Sequence, residues 1–374
     1  MLPVGNKPFM EHVIRALAAN DVKELIIVVG YQKERIMNHF EDGIHYGVNI
    51  TYIEQKELLG TAHALNMARS YITEDFLVVN GDNFIDRRAI KDLISSPGDN
   101  VILAVIRSHA GDYGVLTIEQ QRVSKIIEKP GRPCSGILNT GAYRFSPEIF
   151  EELARTPISE RGSYELTQTI SQRIKEGKEI RAEITQGVWS DAIFSWDLLE
   201  ANSLALTLMK PKISGELEEG AKVRGPVDVG SGSIIRSGCY ITGPVSIGRN
   251  CDIGPNATIL PATSIGDSSR IGSSTELRNT IIMKGTRIGS GCIISDSILG
   301  ESCVAGDQMM AETGAAVVDI EEELYRAEFG AIMADNVAVG SRVLINAGTV
   351  VGTGSKIGSG SSIRGMIERD SRMI

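Results

Sequence analysis

The chain has 374 residues, 42% apolar and 23% charged, a balance that excludes a disordered or fibrous protein and allows two packed domains. Its net charge of −9 argues against a nucleic-acid partner, because binding a phosphate backbone needs concentrated Lys and Arg. No apolar run reaches the roughly 18–20 residues that cross a bilayer, and Met1-Leu2-Pro3-Val4-Gly5 lacks the basic-then-apolar layout of a secretory signal, so no membrane partner is expected.

In chain order, Pro8 opens a helix predicted over 9–19. Leu25-Ile26-Ile27-Val28-Val29, closed by Gly30, reads as a buried strand and turn. A helix follows through Phe40, then a strand over 48–53 and a helix over 62–69. Phe76-Leu77-Val78-Val79 is a short apolar strand that ends at Asn80-Gly81-Asp82. Continuous apolar strands separated by helices predict a parallel sheet covered on both faces. Further strands are expected over 101–107, 115–118 and 123–128. A last helix over 196–209 reaches Pro211, where the composition changes. Residues 1–210 thus read as one α/β domain of Rossmann-like type.

From Val223 the period becomes six. Val223, Val229, Ile235, Ile241, Ile247, Ile253, Ile259, Ile265, Ile271 and Leu277 follow one another without a miss, and Ile282, Ile288 and Ile294 continue after a slip of one. The period returns with Met333, Val339, Ile345, Val351, Ile357 and Ile363. Such a repeat predicts a triangular left-handed parallel β-helix over 215–374, each aliphatic pointing inward onto its counterpart one coil away. Cys239, Cys251, Cys292 and Cys303 share the small inward position of Ala257 and Thr275, so they read as packing residues. With Cys134 the cysteines number five and contain no C-x-x-C, which predicts neither a disulfide framework nor a metal site and indicates a cytoplasmic setting. Residues 300–331 break the period as an excursion, and the acidic run from Asp319 to Leu324 reads first as a solvated face.

The residues able to do chemistry gather in the first half. Asp82 follows an apolar strand, where open α/β sheets bind ligands, and its carboxylate suits a hard cation held against phosphates; the alternative is a structural turn Asp. Gln55 precedes Leu59-Gly60-Thr61-Ala62-His63-Ala64, in which Gly60 lets backbone approach a flat ligand and Thr61 opens a helix; the alternative is a plain loop and cap. Glu128-Lys129-Pro130 ends another strand, and Pro130 keeps Lys129 extended; Glu128 suits sugar hydroxyls and Lys129 a phosphate, although surface Glu-Lys pairs are common. Asn139-Thr140-Gly141 and Trp189-Ser190-Asp191 complete the set.

Taken together with Tyr113-Gly114-Val115 and Glu165-Leu166-Thr167, these motifs stand in the order and spacing of sugar-1-phosphate nucleotidylyltransferases. With the β-helix, the layout resembles the archaeal two-domain branch that makes UDP- or dTDP-sugars. The resemblance implies an enzyme that moves a nucleotidyl group from UTP or dTTP to a hexose-1-phosphate. It implies that Asp82 and Asp191 hold Mg²⁺. Gln55, Gly60 and Thr61 would meet the nucleotide, with Gly81 beside the metal carboxylate. Gly114, Glu128 and Asn139 would hold the sugar, and Lys129 its phosphate. It also implies a homotrimer assembled through the β-helix. The outward positions near Ile281, Met283 and Ile293 are more apolar than a solvated face needs and are candidate contacts; the alternative is that they pack under the 300–331 excursion.

The match has three departures. The family carries a G-x-G-x-R loop and a Lys ahead of a segment like Met1-Leu2-Pro3-Val4, and the 374-residue chain is therefore expected to transfer little by itself, with two strands left without a neighbour. Ile193, followed by Phe194 and Ser195, stands where a Gly is expected two residues after Asp191. Ser290 stands where acetylating relatives place a His, and no His follows His109, so the β-helix reads as a scaffold. Two other readings remain open: a non-catalytic or regulatory oligomer of the same fold, and an acyltransferase acting through the β-helix.

Overall fold

The computed structural model describes residues 2–107, 113–128, 135–159, 161–320 and 323–373. Its contacts divide the chain into two compact units, Phe9–Ser190 and a second made of Leu2–Pro8 with Asp191–Ile374. The division falls at Ser190, ahead of the expected linker at 210–215.

In the first unit the helix Phe9–Ala18 and the strand Glu24–Val29 lie where their apolar periods place them. The strand pairs in parallel with Asn49–Glu54. The second sheet has six strands in the order 76–79, 136–145, 101–107, 181–184, 122–128, 114–119. It corrects the expectation of an all-parallel sheet. Only the pairing of 101–107 with 181–184 is parallel, and 136–145 runs antiparallel to 76–79, 101–107 and 114–119. The reason is that 114–119 and 122–128 are joined by a tight hairpin, which enforces opposite directions without a crossover helix.

Several elements lie outside the sequence pattern, among them the helix Leu166–Lys175, the strand Arg181–Ile184, the strand Gly136–Phe145 and the helix Arg87–Ser95. The strand Gly136–Phe145 pairs with three others, 76–79, 101–107 and 114–119. The helix Arg87–Ser95 buries Ala89, Ile90 and Leu93 on one side and starts at Asp86, whose carboxylate accepts the Ala89 N–H at 2.8 Å. The strands 24–29 and 76–79 each pair on one side only. A 770 Å³ cavity is lined by every residue from Glu24 to Val28 and from Phe76 to Gly81. Side chains alternate across a strand, so a wall of consecutive residues is a strand's edge and not one of its faces.

The second unit is a parallel β-helix whose three sheets contain nine, eight and eight strands from Glu216 to Met373. Register stacks like on like, Ile235 on Ile253 and Ile253 on Ile271, and these aliphatics together with Cys239, Cys251, Cys292 and Cys303 form one buried core. The period break at 300–331 is narrower than expected. Residues 304–305 and 310–311 still form coil strands, with Ala305 and Ala311 in the inward places. Alanine hides the period because it is small. What leaves the helix is an arm, the antiparallel pair Ala315–Ile320 and Glu323–Glu328. Asp319, Glu323 and Glu328 on it are exposed, as a solvated acidic face requires. Of the apolar positions expected on the outer surface, Ile281 and Met283 are buried, and Ile293 alone is exposed, at 43%.

The segment Leu2–Pro8 is fastened to this unit. Gly5 donates its N–H to the Asn202 Oδ1 at 2.8 Å, and Asn202 donates to the Ala262 carbonyl at 2.8 Å. Asn6 reaches the Ser246 hydroxyl at 2.9 Å and the Ile265 carbonyl at 3.0 Å. Asn202 is fully buried. Asn202→Leu leaves one donor and one acceptor unmatched and should lower the unfolding free energy by about 2–4 kcal/mol. Urea unfolding of the whole chain measures this, and an unchanged midpoint would show that neither bond matters.

Candidate active site

The candidate site lies where the strand 136–145 changes neighbours. On one edge its first half pairs with 114–119, Leu138 opposite Val115, and its second half pairs with 76–79, Ala142 opposite Val79. Between them the register shifts over 139–143. A bulge there opens the sheet, the kind of crevice in which α/β sheets bind ligands. Gly141 sits in it at φ +73°, and a Cβ would lie 2.5 Å from the Asn80 amide nitrogen, so only glycine lets the Asn80-Gly81-Asp82 turn come so close.

One backbone group ties this region together. The Thr140 carbonyl accepts from Asn83 Nδ2 at 2.6 Å and from the Trp189 indole at 3.0 Å. Asn83 and Thr140 are both buried. The Trp189 carbonyl in turn accepts from Arg107 at 2.7 Å. Asp82, in the turn held this way, is exposed.

Gly114, Glu128 and Asn139 come together beside the bulge. Gly114 pairs with Glu128, and a Cβ on Gly114 would stand 3.1 Å from the Glu128 carboxylate and 3.5 Å from Asn139. Asn139 donates to the Tyr143 hydroxyl at 2.7 Å and accepts the Gly141 N–H at 3.1 Å. Burial pushes the Tyr143 phenol above its ordinary range, so it stays neutral and keeps Asn139 oriented. Tyr143 was not singled out in the sequence, although its place four residues beyond Asn139 in an apolar run marks it as a possible neighbour.

Gln55, Gly60 and Thr61 form a second cluster. Gln55 is buried, donating to the Gly60 carbonyl at 3.3 Å and meeting His63 Nδ1 at 2.8 Å. Gly60, at φ +112°, packs against Tyr164, whose carbonyl would lie 2.4 Å from an added Cβ. The Ala62 N–H reaches the Tyr164 carbonyl at 2.8 Å, the Tyr164 N–H reaches the Leu59 carbonyl at 2.8 Å, and Thr61 Oγ1 accepts the Leu166 N–H at 2.9 Å. Arg161, also missed in the sequence, links the clusters. Its guanidinium lies 2.9 Å from Glu165 and 3.5 Å from Glu128. Its spacing of four from Glu165 was the available signal. Lys129, Pro130, Cys134 and His109 lie outside the described residues. Asp191 opens the second unit and is half-buried.

The α/β sheet thus breaks over a bulge of Asn-Thr-Gly, with a carboxylate turn after one strand and a glutamate ending another. The chain belongs to the nucleotidyl transferase family, whose pattern matches residues 1–207, while residues 241–357 match the GMPPB C-terminal domain. It is 34% identical to the bifunctional protein GlmU of Methanococcus aeolicus, over 99% of this chain and 90% of that one. It is 33% identical to a glucose-1-phosphate thymidylyltransferase of Streptomyces antibioticus, over 66% of this chain and 71% of that one. In three dimensions it is similar to a putative glucose-1-phosphate thymidylyltransferase of Bacillus anthracis, with a TM-score of 0.51 and 26% identity over 56% of this chain and 87% of that one. The function is that of a sugar-1-phosphate nucleotidyltransferase, an enzyme whose substrates are a nucleoside triphosphate and a sugar-1-phosphate and whose family generally uses a divalent metal.

The Gly60 contact is directly testable. Gly60→Ala should part 59–62 from 164–166 and raise amide exchange at Ala62 and Tyr164 at least ten-fold. Hydrogen-exchange mass spectrometry of the two peptides checks it, and unchanged protection would refute the close-packing account.

Proposed function

We propose that the enzyme transfers a nucleotidyl group from UTP or dTTP to a hexose-1-phosphate. The observation that carries this reading is the convergence on Thr140, which brings the Asp82 turn and the Gly114–Glu128–Asn139 group to one break in the sheet. In the reaction a phosphate oxygen of the sugar-1-phosphate attacks the α-phosphorus. A new P–O bond forms as the bond to the bridging oxygen breaks, and pyrophosphate leaves with the electron pair. No protein nucleophile is required, so the residues bind, align and neutralise. Glu128 and Asn139 are assigned to sugar hydroxyls, with Gly114 giving them room. Gln55, Gly60 and Thr61 are assigned to the nucleotide, Gly81 to the approach beside Asp82, and Lys129 and Arg161 to phosphate charge.

We assign Asp82 and Asp191 as the carboxylates offered to Mg²⁺. Among the described residues no group of three or more His, Cys, Asp or Glu is arranged to hold a metal. Mg²⁺ asks for no more than one or two carboxylates, since it keeps its waters and completes its shell with substrate phosphates. The ion, when bound, lowers the charge on the phosphates that meet at the α-phosphorus. The cytoplasm is the proposed setting, on the strength of four free buried thiols. Burial holds the Cys303 thiol protonated, pushed up to about 11.

The β-helix is read as a scaffold. The Ser290 hydroxyl meets the Ser273 hydroxyl at 3.2 Å and its backbone N–H donates to the Asp307 carboxylate at 2.8 Å, and no imidazole exists in residues 215–374 to take a proton. We propose a homotrimer formed along the face where Ile293 pairs with Met310, 43% and 41% exposed, and Met310 with Leu344.

Asp82→Ala and Asp191→Ala should each lower kcat about 10²-fold or more. Pyrophosphate release is measured with UTP and dTTP against glucose-1-phosphate and N-acetylglucosamine-1-phosphate. Release near the wild-type rate in both variants would remove the metal assignment.

For the assembly, light scattering of the whole chain should give about three times the 40.3 kDa subunit mass. The double variant Ile293→Asp, Met310→Asp should give one subunit. A monomeric wild type would overturn the trimer.

A further inference from the structure

The segment after Asp191 departs from the family pattern, and the structure shows what occupies it. Phe194 and Trp196 stack with ring centroids 4.7 Å apart and planes 18° from parallel. Trp196 stacks on Phe329 at 5.4 Å and 12°, and Phe194 meets Tyr325 at 4.5 Å. Tyr325 lies on the returning strand of the arm, and Phe329, fully buried, directly follows that strand. The two sides of this cluster are 129 residues apart in sequence (Tyr325 and Trp196), yet belong to one compact unit.

Both ends of the contact are anchored. The arm is rooted at Gly348, which takes φ +75° and donates its N–H to the carbonyls of Phe329 at 3.1 Å and Gly330 at 2.9 Å. A Cβ there would stand 2.0 Å from the Ala316 Cβ, so the arm lies as close as glycine allows. The segment is closed by Phe194, whose N–H donates to Asp197 Oδ2 at 2.7 Å at the start of the helix Asp197–Thr207. Residues 192–196 therefore run between a helix start and the arm, with Asp191 at their head. Ile193 stands at the expected glycine's place, so the backbone lacks a glycine's freedom, and the next residue, Phe194, gives it an aromatic hold.

We propose that the arm is a positioning element for the segment that begins at Asp191. Tyr325 and Phe329 hold Phe194 and Trp196, and that hold sets the conformation of the carboxylate-bearing backbone. Groups that orient a metal ligand govern its affinity without touching the ion. The functional half of the inference rests on Asp191 as a Mg²⁺ ligand; the structural half does not. Tyr325 is a positioning residue acting through its ring, since its hydroxyl is turned to Glu323 at 2.5 Å.

The test uses the whole chain as wild type, Tyr325→Ala, Tyr325→Phe and Asp191→Asn. The first readout is amide exchange of a peptide spanning 190–197. The second is the fluorescence of Trp189 and Trp196, the two tryptophans, titrated with Mn²⁺ in the presence of UTP. Tyr325→Ala should speed exchange over 190–197 about ten-fold, leave the coils around Ile282 and Ile345 unchanged, and raise the Mn²⁺ midpoint about ten-fold. Tyr325→Phe should restore both. Unchanged exchange over 190–197 in Tyr325→Ala, or exchange that spreads through the coils, overturns the proposal. Faster exchange with no shift in the Mn²⁺ midpoint, while Asp191→Asn abolishes the response, overturns its functional half. If Asp191→Asn keeps the wild-type midpoint, the metal reading fails and the exchange result alone decides the positioning role.

Discussion

The first unit depends on the Thr140 carbonyl. It is a buried acceptor that takes two donors, Asn83 and the Trp189 indole, from chain segments far apart in sequence. A typical internal hydrogen bond nets only about 0.5–1.5 kcal/mol, but a buried group left unmatched costs about 1–3 kcal/mol. The shared carbonyl thus works less as glue than as a constraint. Any arrangement that separates the Asp82 turn from the bulge strands buried polar atoms, and the same bulge keeps Asn139 beside Glu128. The chemistry of phosphate transfer asks for this kind of rigidity, because its residues align and neutralise instead of reacting.

The second unit is held by repetition. Each coil lays its inward aliphatic on the one before, so a parallel ladder and a continuous core arise from one six-residue rule. Against that regularity the exceptions stand out: the Leu2–Pro8 segment fastened through Asn202 and Asn6, the arm, and the aromatic cluster that joins the arm to the residues after Asp191. Each exception brings a non-repeating part of the chain onto a repeating support.

Much of this was legible in the sequence, and the failures have specific causes. The strand 76–79, the helix after Pro8 and the coils of the β-helix appear where period and punctuation place them. The strand Gly136–Phe145 was read only as a motif, because Asn139, Thr140 and Gly141 interrupt the apolar alternation at the bulge. Ala305 and Ala311 concealed two coils by being small. Ile281 and Met283 looked outward by position but are buried.

By itself the sequence determined the β-helix, the inward place of its cysteines and the absence of a histidine in the second half. These are local or periodic properties, and a short window of residues contains them. Tertiary structure alone decided that the large sheet is mainly antiparallel, that its strand 136–145 trades one neighbour for another at Asn139–Gly141, and that Arg161 stands between Glu128 and Glu165. It also decided that Phe194 meets Tyr325. The physical reason is common to all of these. Which strand edges pair, and which rings stack across more than a hundred residues, depends on how separate elements bury their faces together, and no local period encodes that choice.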